Sequence, residues 1–218
     1  MSSDTAAFIR AQTAIAPPPL TPEIRLHLAS EVTPLWHATE ASLARQQLPP
    51  PYWAFAWAGG QAIARYLLDH REVAQDQDVL DFGAGSGLVA IAAMMAGARR
   101  VTAAEIDPFA TTVIAMNASL NGVAVALEEG DVIGRAAAPW TLILAGDMCY
   151  ERPLAERLIA WLKAKARGGA TVLLGDPGRA YLPKTGLTEL ARYAVPTPLE
   201  LEDRTERIGI VWRLSPPG

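Results

Sequence analysis

The sequence Asp81-Phe82-Gly83-Ala84-Gly85-Ser86-Gly87 joins two apolar segments of different character. Residues 79–82 have the length and composition of a short buried strand, and residues 88–96 have those of an apolar helix. A strand, a glycine-rich turn and a helix form the opening unit of an open α/β sheet, and ligands of such sheets bind at this turn. We therefore predict that the quoted stretch lies at the edge of a ligand crevice.

The spacing of the glycines indicates the kind of ligand. A dinucleotide-binding turn has the pattern G-x-G-x-x-G, which from Gly83 and Gly85 would require a third glycine where the chain has Leu88. The third glycine is Gly87 instead, and Asp81 precedes the set by two. The resulting D-x-G-x-G-x-G pattern suits S-adenosylmethionine, which has no pyrophosphate to anchor, because glycines let the backbone approach a ligand closely. Asp81 would then orient the methionine amino group, directly or through water; the alternative is an ordinary tight turn.

Strands and helices alternate along the rest of the chain. Further strands are predicted at residues 101–106, 123–127, 142–145 and 171–174, and further helices at residues 108–120 and 153–166. In the tail, a predicted helix at residues 185–194 precedes two strand-like segments, 199–202 and 208–214, which form a hairpin. The predicted fold is α/β, a Rossmann-like seven-stranded sheet with helices on both faces, built from five parallel strands plus a C-terminal antiparallel hairpin.

The front of the chain has a different composition. Prolines at positions 17–19 and 49–51 bound it, and Thr21-Pro22-Glu23 has the form of a helix start, with threonine as N-cap and proline at the first helical position. A second helix is predicted at residues 39–47. We therefore divide the chain into an N-terminal helical extension, residues 1–51, and a single domain, residues 52–218.

Composition limits the classes of function. The 218 residues carry a formal net charge of -4 with acids and bases interspersed. Proteins that bind duplex nucleic acid normally have a basic face, so this charge pattern argues against such a function. No apolar run has the length that a membrane span needs. The only cysteine is Cys149, so an intrachain disulfide is excluded, and the scattered histidines have no metal-ligand spacing. We expect a cytoplasmic monomer with no metal, no nucleic acid and no membrane partner.

Two acidic positions after the predicted strands fit a nucleoside. Glu105 ends the second strand, where a carboxylate accepts hydrogen bonds from ribose hydroxyls in folds of this kind, and Ile106 offers an apolar face to an adenine. Asp107 precedes Pro108 and suits the N-cap of the next helix. Asp131, after the third strand, would accept from the adenine amino group; the alternative is an ordinary exposed acid of a loop.

At these positions the sequence resembles a known family. The segment 81–87 with Glu105 and Asp131 looks like motifs I to III of the seven-β-strand methyltransferases. The tryptophan-rich segment 51–60 resembles the entry segment of the family-16 protein-lysine methyltransferases, and Asp147-Met148-Cys149-Tyr150 matches their D-x-x-Y/F signature. Residues 175–179 are similar to the segment after the fifth strand in the electron transfer flavoprotein β-subunit lysine methyltransferases. Ala58 departs from the proline expected after Trp57 in close relatives.

This resemblance implies transfer of a methyl group from S-adenosylmethionine to lysine side chains of a protein, namely the electron transfer flavoprotein β-subunit. It implies Asp147 and Tyr150 as catalytic residues, since a carboxylate beside the first strand would hold the lysine ammonium and orient the neutral amine. The residues that it assigns to cofactor binding are Trp57, Gly60, Asp81, Gly83, Gly85, Glu105, Ile106, Asp131, Val132 and Ala145.

Other interpretations stay open at this point. Asp147 would otherwise cap the helix near Pro153. Trp53 and Trp57 would close over the cofactor and exclude water, or else, like Tyr150, they would pack in the core. The acceptor would otherwise be a small amine or a non-lysine protein residue. A cofactor-binding module without catalysis is a further alternative, and an oxidoreductase fits least well because of Leu88. A Cys149 nucleophile lacks a histidine at a recognisable distance.

Overall fold

The computed structural model describes residues 3–30, 35, 50–135, 139–197 and 205–215. The helices of the described chain are α1 Ser3–Gln12, α2 Ala58–Asp69, α3 Leu88–Met95, α4 Pro108–Leu120 and α5 Arg152–Arg167, and two short 3-10 turns cover Tyr52–Ala54 and Arg71–Val73. The strands are β1 Ala14–Ala16, β2 Leu26–Leu28, β3 Asp78–Phe82, β4 Arg100–Glu105, β5 Ala126–Glu129, β6 Leu142–Gly146, β7 Thr171–Asp176, β8 Leu187–Pro196 and β9 Glu206–Leu214.

Seven of these strands form one sheet in the order β5-β4-β3-β6-β7-β9-β8. The first five are parallel, and β9 and β8 close the sheet as an antiparallel pair. Strand β3 lies in the centre, where Phe82 pairs with Ala104 of β4 on one side and with Ala145 of β6 on the other. The predicted seven-stranded sheet is therefore confirmed, and the carboxyl ends of β3, β4, β6 and β7 meet at one edge.

Helices cover both faces of the sheet, as predicted. Along β3, Val79 faces a core layer made with α2 and α3, whereas Leu80 faces a second layer made with α5. Along β6, Leu144 and Ile143 repeat the same division. Alternate residues of a parallel strand point to opposite faces, so strands buried on both sides read as continuous apolar runs.

The predicted helix at residues 185–194 is wrong, because this segment is strand β8. It pairs along its length with β9, from Leu187 opposite Leu214 to Pro196 opposite Glu206. Leu187, Tyr193 and Val195 turn inward while their neighbours are exposed, which is a strand period and not a helical one. The strand predicted at 199–202 lies outside the described residues, and the hairpin is made by β8 and β9.

The predicted third strand is displaced along the chain. Val123 lies in the turn that ends α4, since its backbone N–H donates to the carbonyl of Ala118 at 3.0 Å, and Gly122 before it has φ of +67°. A glycine in this conformation after a helix satisfies the last carbonyls of the helix. Strand β5 consequently begins only at Ala126.

The helix predicted to start at Thr21 is also wrong. The Thr21 hydroxyl is buried without a hydrogen-bond partner, so it caps nothing, and the segment forms a turn that leads into β2. Ile24 and Leu26 are both completely buried, at the two-residue spacing of extended chain. The helix predicted at 39–47 lies outside the described residues, while α1 is a helix that the sequence reasoning did not identify.

Residues 3–30 pack against the helices of the sheet. Phe8 of α1 contacts Phe109 of α4 with ring centroids 5.5 Å apart. The buried side chain of Asn117 accepts a hydrogen bond from His27 N–H at 2.8 Å and donates one to the carbonyl of Ser86, also at 2.8 Å. The front of the chain is thereby attached to the glycine-rich turn. No helix in the described part of the chain is long and apolar enough to cross a membrane.

Candidate active site

The glycine-rich turn lies at the carboxyl end of β3, as predicted. Gly85 has φ of +52°, a region that residues with a Cβ rarely adopt. A side chain built at Gly85 would meet nothing closer than the Trp53 Cα at 3.9 Å, so the space beside this backbone is open. At Gly83, by contrast, a Cβ would meet the Met148 thioether, and the φ of +64° itself favours glycine at this position.

Asp81 is buried beneath the turn. Its Oδ2 accepts a hydrogen bond from the Ala90 N–H at 2.9 Å, which ties β3 to the first turns of α3. Burial raises the pKa of the Asp81 carboxyl to about 7, with a smaller contribution from the Glu105 charge, while the Ala90 hydrogen bond opposes the rise. Asp81 therefore titrates near neutrality.

Glu105 bridges the end of β4 to the same turn. Its Oε2 accepts from the Gly85 N–H at 2.9 Å, and its Oε1 accepts from the Ile106 N–H at 2.7 Å. The side chain of Ile106 is 76% exposed, which is unusual for an isoleucine inside a well-packed domain. A carboxylate beside an uncovered apolar side chain is the pair that a ribose and an adenine require.

Asp131, the acid after β5, already has hydrogen-bond partners within the protein. Asp131 Oδ1 accepts from the Ile133 N–H at 2.8 Å, and its Oδ2 pairs with Arg157 at 2.6 Å. Val132 is completely buried in the core layer that contains α5. Ala145, at the end of β6, is buried in the same layer.

Asp147 comes directly after β6, and its carboxylate is held by two residues, Gly59 and Arg179. Its Oδ2 accepts from the Gly59 N–H, and its Oδ1 accepts from Arg179 Nε at 2.9 Å and Nη2 at 2.8 Å. Its backbone N–H donates to Gly175 O at 2.8 Å. The residue has φ of +58°, a conformation that non-glycine residues adopt at a cost and chiefly at functional sites.

Burial raises the pKa of the Asp147 carboxyl to about 6, the Arg179 cation opposes this rise, and the nearby Asp176 adds to it. The helix-capping alternative for Asp147 does not hold, since α5 begins at Arg152 with Glu151 as its N-cap. The structure instead turns this acid toward α2 and the segment after β7.

The contact with α2 depends on two glycines that the sequence reasoning had not singled out for packing. A Cβ on Gly59 would lie 2.6 Å from Asp147 Oδ2 and would also overlap Gly175 O. A Cβ on Gly146 would lie 2.8 Å from the Gly60 Cα. The first turn of α2 thus lies directly against the ends of β6 and β7. In the sequence, the adjacent glycines Gly59 and Gly60 were the available sign of this close backbone packing.

A turn follows β7 and positions a cation. Asp176 Oδ1 accepts from the N–H groups of Gly178 at 2.7 Å and Arg179 at 2.6 Å. This arrangement is an Asx-type turn, in which the acid fixes the backbone that follows it. It directs the Arg179 guanidinium onto Asp147, a contact that turn chemistry alone did not predict.

Aromatic rings surround the mouth of the site. Tyr52 contacts Tyr150 with ring centroids 5.9 Å apart and Trp57 at 6.0 Å, and Tyr150 is 40% exposed. The Arg179 Cζ lies 5.9 Å from the centroid of the Trp57 ring. Trp53 is different, because it is buried and stacks on Phe109 at 6.4 Å. Trp53 is therefore a core residue, whereas Trp57 lies against Arg179, the partner of Asp147, and Tyr150 belongs to the same group of rings through Tyr52.

Cys149 does not have the properties of a nucleophile. Its side chain is buried, and burial raises the pKa of the thiol to about 12, with the Asp176 and Asp147 charges adding to the effect. A reactive cysteine needs a thiolate in a partly exposed, electropositive setting. Within the described residues, no group of three or more histidine, cysteine, aspartate or glutamate side chains is arranged to hold a metal ion.

The arrangement fits S-adenosylmethionine. The backbone at Gly85 is open to a close approach, Glu105 has a carboxylate at the nucleoside position, and Ile106 presents an uncovered apolar surface. Asp147 lies at the end of the strand beside β3, next to the turn that would hold the methionine part. The site therefore combines a nucleoside crevice with a separate buried acid.

The known proteins that this chain resembles in sequence are methyltransferases. The family model "Ribosomal protein L11 methyltransferase (PrmA)" matches residues 62–145. The electron transfer flavoprotein β-subunit lysine methyltransferase of Xenopus laevis is 38% identical over 219 residues, covering 96% of this chain and 87% of the relative. The protein of the same name from Danio rerio is 40% identical over 202 residues, covering 90% of this chain and 77% of the relative.

Solved structures agree on the fold. Magnesium protoporphyrin IX methyltransferase from Synechocystis, a structure with bound S-adenosylmethionine, superposes with a TM-score of 0.54 at 13% sequence identity. The match covers 84% of this chain and 88% of that protein. At this identity the likeness concerns the architecture of the sheet and its helices.

Proposed function

We propose, since this chain belongs to the electron transfer flavoprotein β-subunit lysine methyltransferases, that it methylates lysine side chains of the electron transfer flavoprotein β-subunit. The chain is an S-adenosylmethionine-dependent protein-lysine N-methyltransferase with the α/β methyltransferase fold. The observation that carries the choice of acceptor chemistry is the buried Asp147 carboxylate just after β6, whose partner Arg179 lies against the Trp57 ring.

When bound, S-adenosylmethionine supplies the electrophilic methyl group. The task of the protein is to present a lysine amine in line with that methyl and to exclude water from it. Asp147 binds the arriving ammonium by charge, and its position fixes the direction of the nitrogen. Because lysine has a pKa of about 10.4 and the Asp147 carboxyl one of about 6, Asp147 stabilises the ammonium and does not keep its proton. We propose that the proton leaves to water through the opening beside Tyr150.

Tyr150 and Trp57 form the walls of the proposed lysine channel. Both rings contact Tyr52, and Tyr150 remains partly exposed, so a lysine alkyl chain that enters between them keeps one side in contact with aromatic carbon. Aromatic faces also attract an ammonium group. The two rings therefore favour an extended cationic side chain over a flat or anionic acceptor.

For the cofactor we propose contacts along the carboxyl ends of β3, β4 and β6. Asp81 orients the methionine amino group, Glu105 accepts from the ribose hydroxyls, and Ile106 packs on adenine. Asp131 would meet the edge of the adenine, with the buried Val132 next to it in the chain. The turn residues Gly83 and Gly85, the strand residue Ala145, and Trp57 with Gly60 at the start of α2 complete the proposed cofactor contacts.

We further propose that residues 52–218 form the catalytic domain and that the N-terminal extension, residues 1–51, supports it. The hydrogen bonds of Asn117 to His27 and Ser86 are the support for this role, because they attach the extension to the glycine-rich turn. The enzyme would act as a cytoplasmic monomer on a protein partner, without nucleic acid.

The acceptor is tested by incubating the purified enzyme, methyl-labelled cofactor and recombinant electron transfer flavoprotein β-subunit, then hydrolysing the product to amino acids. Label in methyllysine supports the proposal. Label in another amino acid, or in a small amine after incubation with lysate, would replace it with the alternative acceptor class. Cofactor binding without label in any fraction would favour a non-catalytic module.

A further inference from the structure

Arg179 is the cation that contacts Asp147, and the proposed chemistry gives it no task. Its Nε and Nη2 atoms lie 2.9 and 2.8 Å from Asp147 Oδ1, and its Cζ lies 5.9 Å from the Trp57 ring centroid. Its side chain is 21% exposed, so the guanidinium is partly sheltered from water. It therefore sits against both the acid and the aromatic wall of the opening.

These two contacts are the ones that the proposed reaction requires for the substrate ammonium. A lysine nitrogen would seek a carboxylate oxygen and an aromatic face. Asp147 Oδ2 is bound by a fixed backbone N–H of Gly59, whereas the described contacts of Oδ1 come from the Arg179 side chain, which can rotate. Oδ1 is therefore the oxygen that we assign to the substrate.

We propose that the Arg179 guanidinium occupies the ammonium subsite on Asp147 when substrate is absent and yields Oδ1 to the incoming lysine. The inference rests on the proposed function of the site. Arg179 keeps Asp147 paired while the site is empty, because an unpaired buried carboxylate is costly.

The backbone of Arg179 would not need to move in this exchange. Its N–H is held by Asp176 Oδ1 at 2.6 Å, in the turn that follows β7. Only the side chain would rotate away from Asp147, and at 21% exposure it already reaches solvent. The exchange is thus a rotation of one side chain about a fixed anchor.

The exchange has a quantitative signature. Every lysine substrate must displace the same guanidinium, so the cost reduces the affinity for all of them by one common factor. The test therefore compares two acceptors, the electron transfer flavoprotein β-subunit and the small compound Nα-acetyl-lysine amide, with wild type and Arg179→Met. Measurements at about pH 9 keep Asp147 ionised in both enzymes while leaving the lysine mostly protonated.

We expect Arg179→Met to lower KM by about tenfold for both acceptors, with kcat not reduced. Binding of Nα-acetyl-lysine amide to cofactor-free enzyme, followed by calorimetry, should tighten by the same factor. Arg192→Met, which removes an exposed arginine paired with Glu189 on β8, is the control and should change neither quantity.

Other outcomes overturn the inference in recognisable ways. A fall in kcat for both acceptors would mean that Arg179 positions Asp147 during catalysis. A rise in KM for the protein alone would mean that Arg179 contacts the protein substrate. If wild type methylates lysine in neither acceptor, the proposed function fails, while the binding measurement still decides whether Arg179 competes for the subsite.

Discussion

The carboxylate of Asp147 accepts a hydrogen bond from the backbone N–H of Gly59, so the acid at the end of β6 is held by the first turn of α2. The approach is close enough that a Cβ on Gly59 would lie 2.6 Å from Asp147 Oδ2. The position of the proposed lysine-binding group thus depends on the absence of a side chain in a neighbouring helix.

Gly59→Ala should therefore damage both the fold and the site. The added methyl has to push apart Asp147 and the Gly175 carbonyl, which should lower the free energy of unfolding by about 1–3 kcal/mol and methyl transfer by at least about 100-fold. Denaturant unfolding and a transfer assay measure the two effects. Gly60→Ala is the matched control for stability, since its Cβ would meet nothing closer than Val89 Cγ2 at 3.8 Å. Equal stability of the two variants would contradict the packing described.

The dependence of activity on pH should show the Asp147 titration. The carboxyl has to be ionised to hold an ammonium, and its pKa is raised by burial to about 6, so activity is lost as the pH falls through this value. A plot of log kcat/KM against pH should steepen by about one unit of slope below about pH 6. In Arg179→Met the break should move to higher pH, because the opposing cation is gone while Asp176 remains. An unchanged break would show that Arg179 does not affect the pKa of Asp147.

Asp81 should make the cofactor-free protein less stable as the pH rises. Its folded pKa of about 7 lies above the ordinary 3.8, so the folded state binds this proton more tightly than the unfolded state. As the pH rises from about 4 to about 7, the free energy of unfolding therefore falls, because the unfolded state releases this proton while the folded state still binds it. Asp81→Asn keeps an oxygen for the Ala90 N–H and removes the charge. Its Tm relative to wild type should rise from pH 5 to pH 8, and a constant difference would refute the assignment.

Much of this site could be predicted from sequence because its parts are local. The glycine-rich turn, Glu105 and Asp147 each follow an apolar strand, and parallel strands bring their carboxyl ends together. Arg179 and Gly59 could not be assigned in this way, since their partner Asp147 is distant in the chain and the contacts arise from side-chain direction and close backbone packing. The helix predicted at residues 185–194 was wrong for a related reason: most of this segment is strand β8, because it pairs with β9, and that pairing is not visible in the local sequence.

The link between the N-terminal segment and the turn should also be measurable. Asn117 is completely buried and joins His27 N–H to the Ser86 carbonyl, so Asn117→Ala leaves both backbone groups unpaired. We expect a loss of about 2–3 kcal/mol in unfolding free energy together with weaker cofactor binding. Asn121→Ala is the control: it removes bonds to the Arg25 backbone at a more exposed place and should cost less than about 1 kcal/mol. If Asn117→Ala binds the cofactor as tightly as wild type, the attachment of the N-terminal segment does not affect cofactor binding at the glycine-rich turn.

The central claim, that Asp147 holds the lysine acceptor, is tested most directly by mass spectrometry of the electron transfer flavoprotein β-subunit after incubation with cofactor and either wild type or Asp147→Asn. We predict that wild type adds one or more methyl groups to lysine, and that the variant binds the cofactor normally but loses at least about 100-fold in rate. Asp69→Asn, which changes an exposed acid of α2, serves as the control and should match wild type. The same lysine methylation by Asp147→Asn at the wild-type rate would contradict the account.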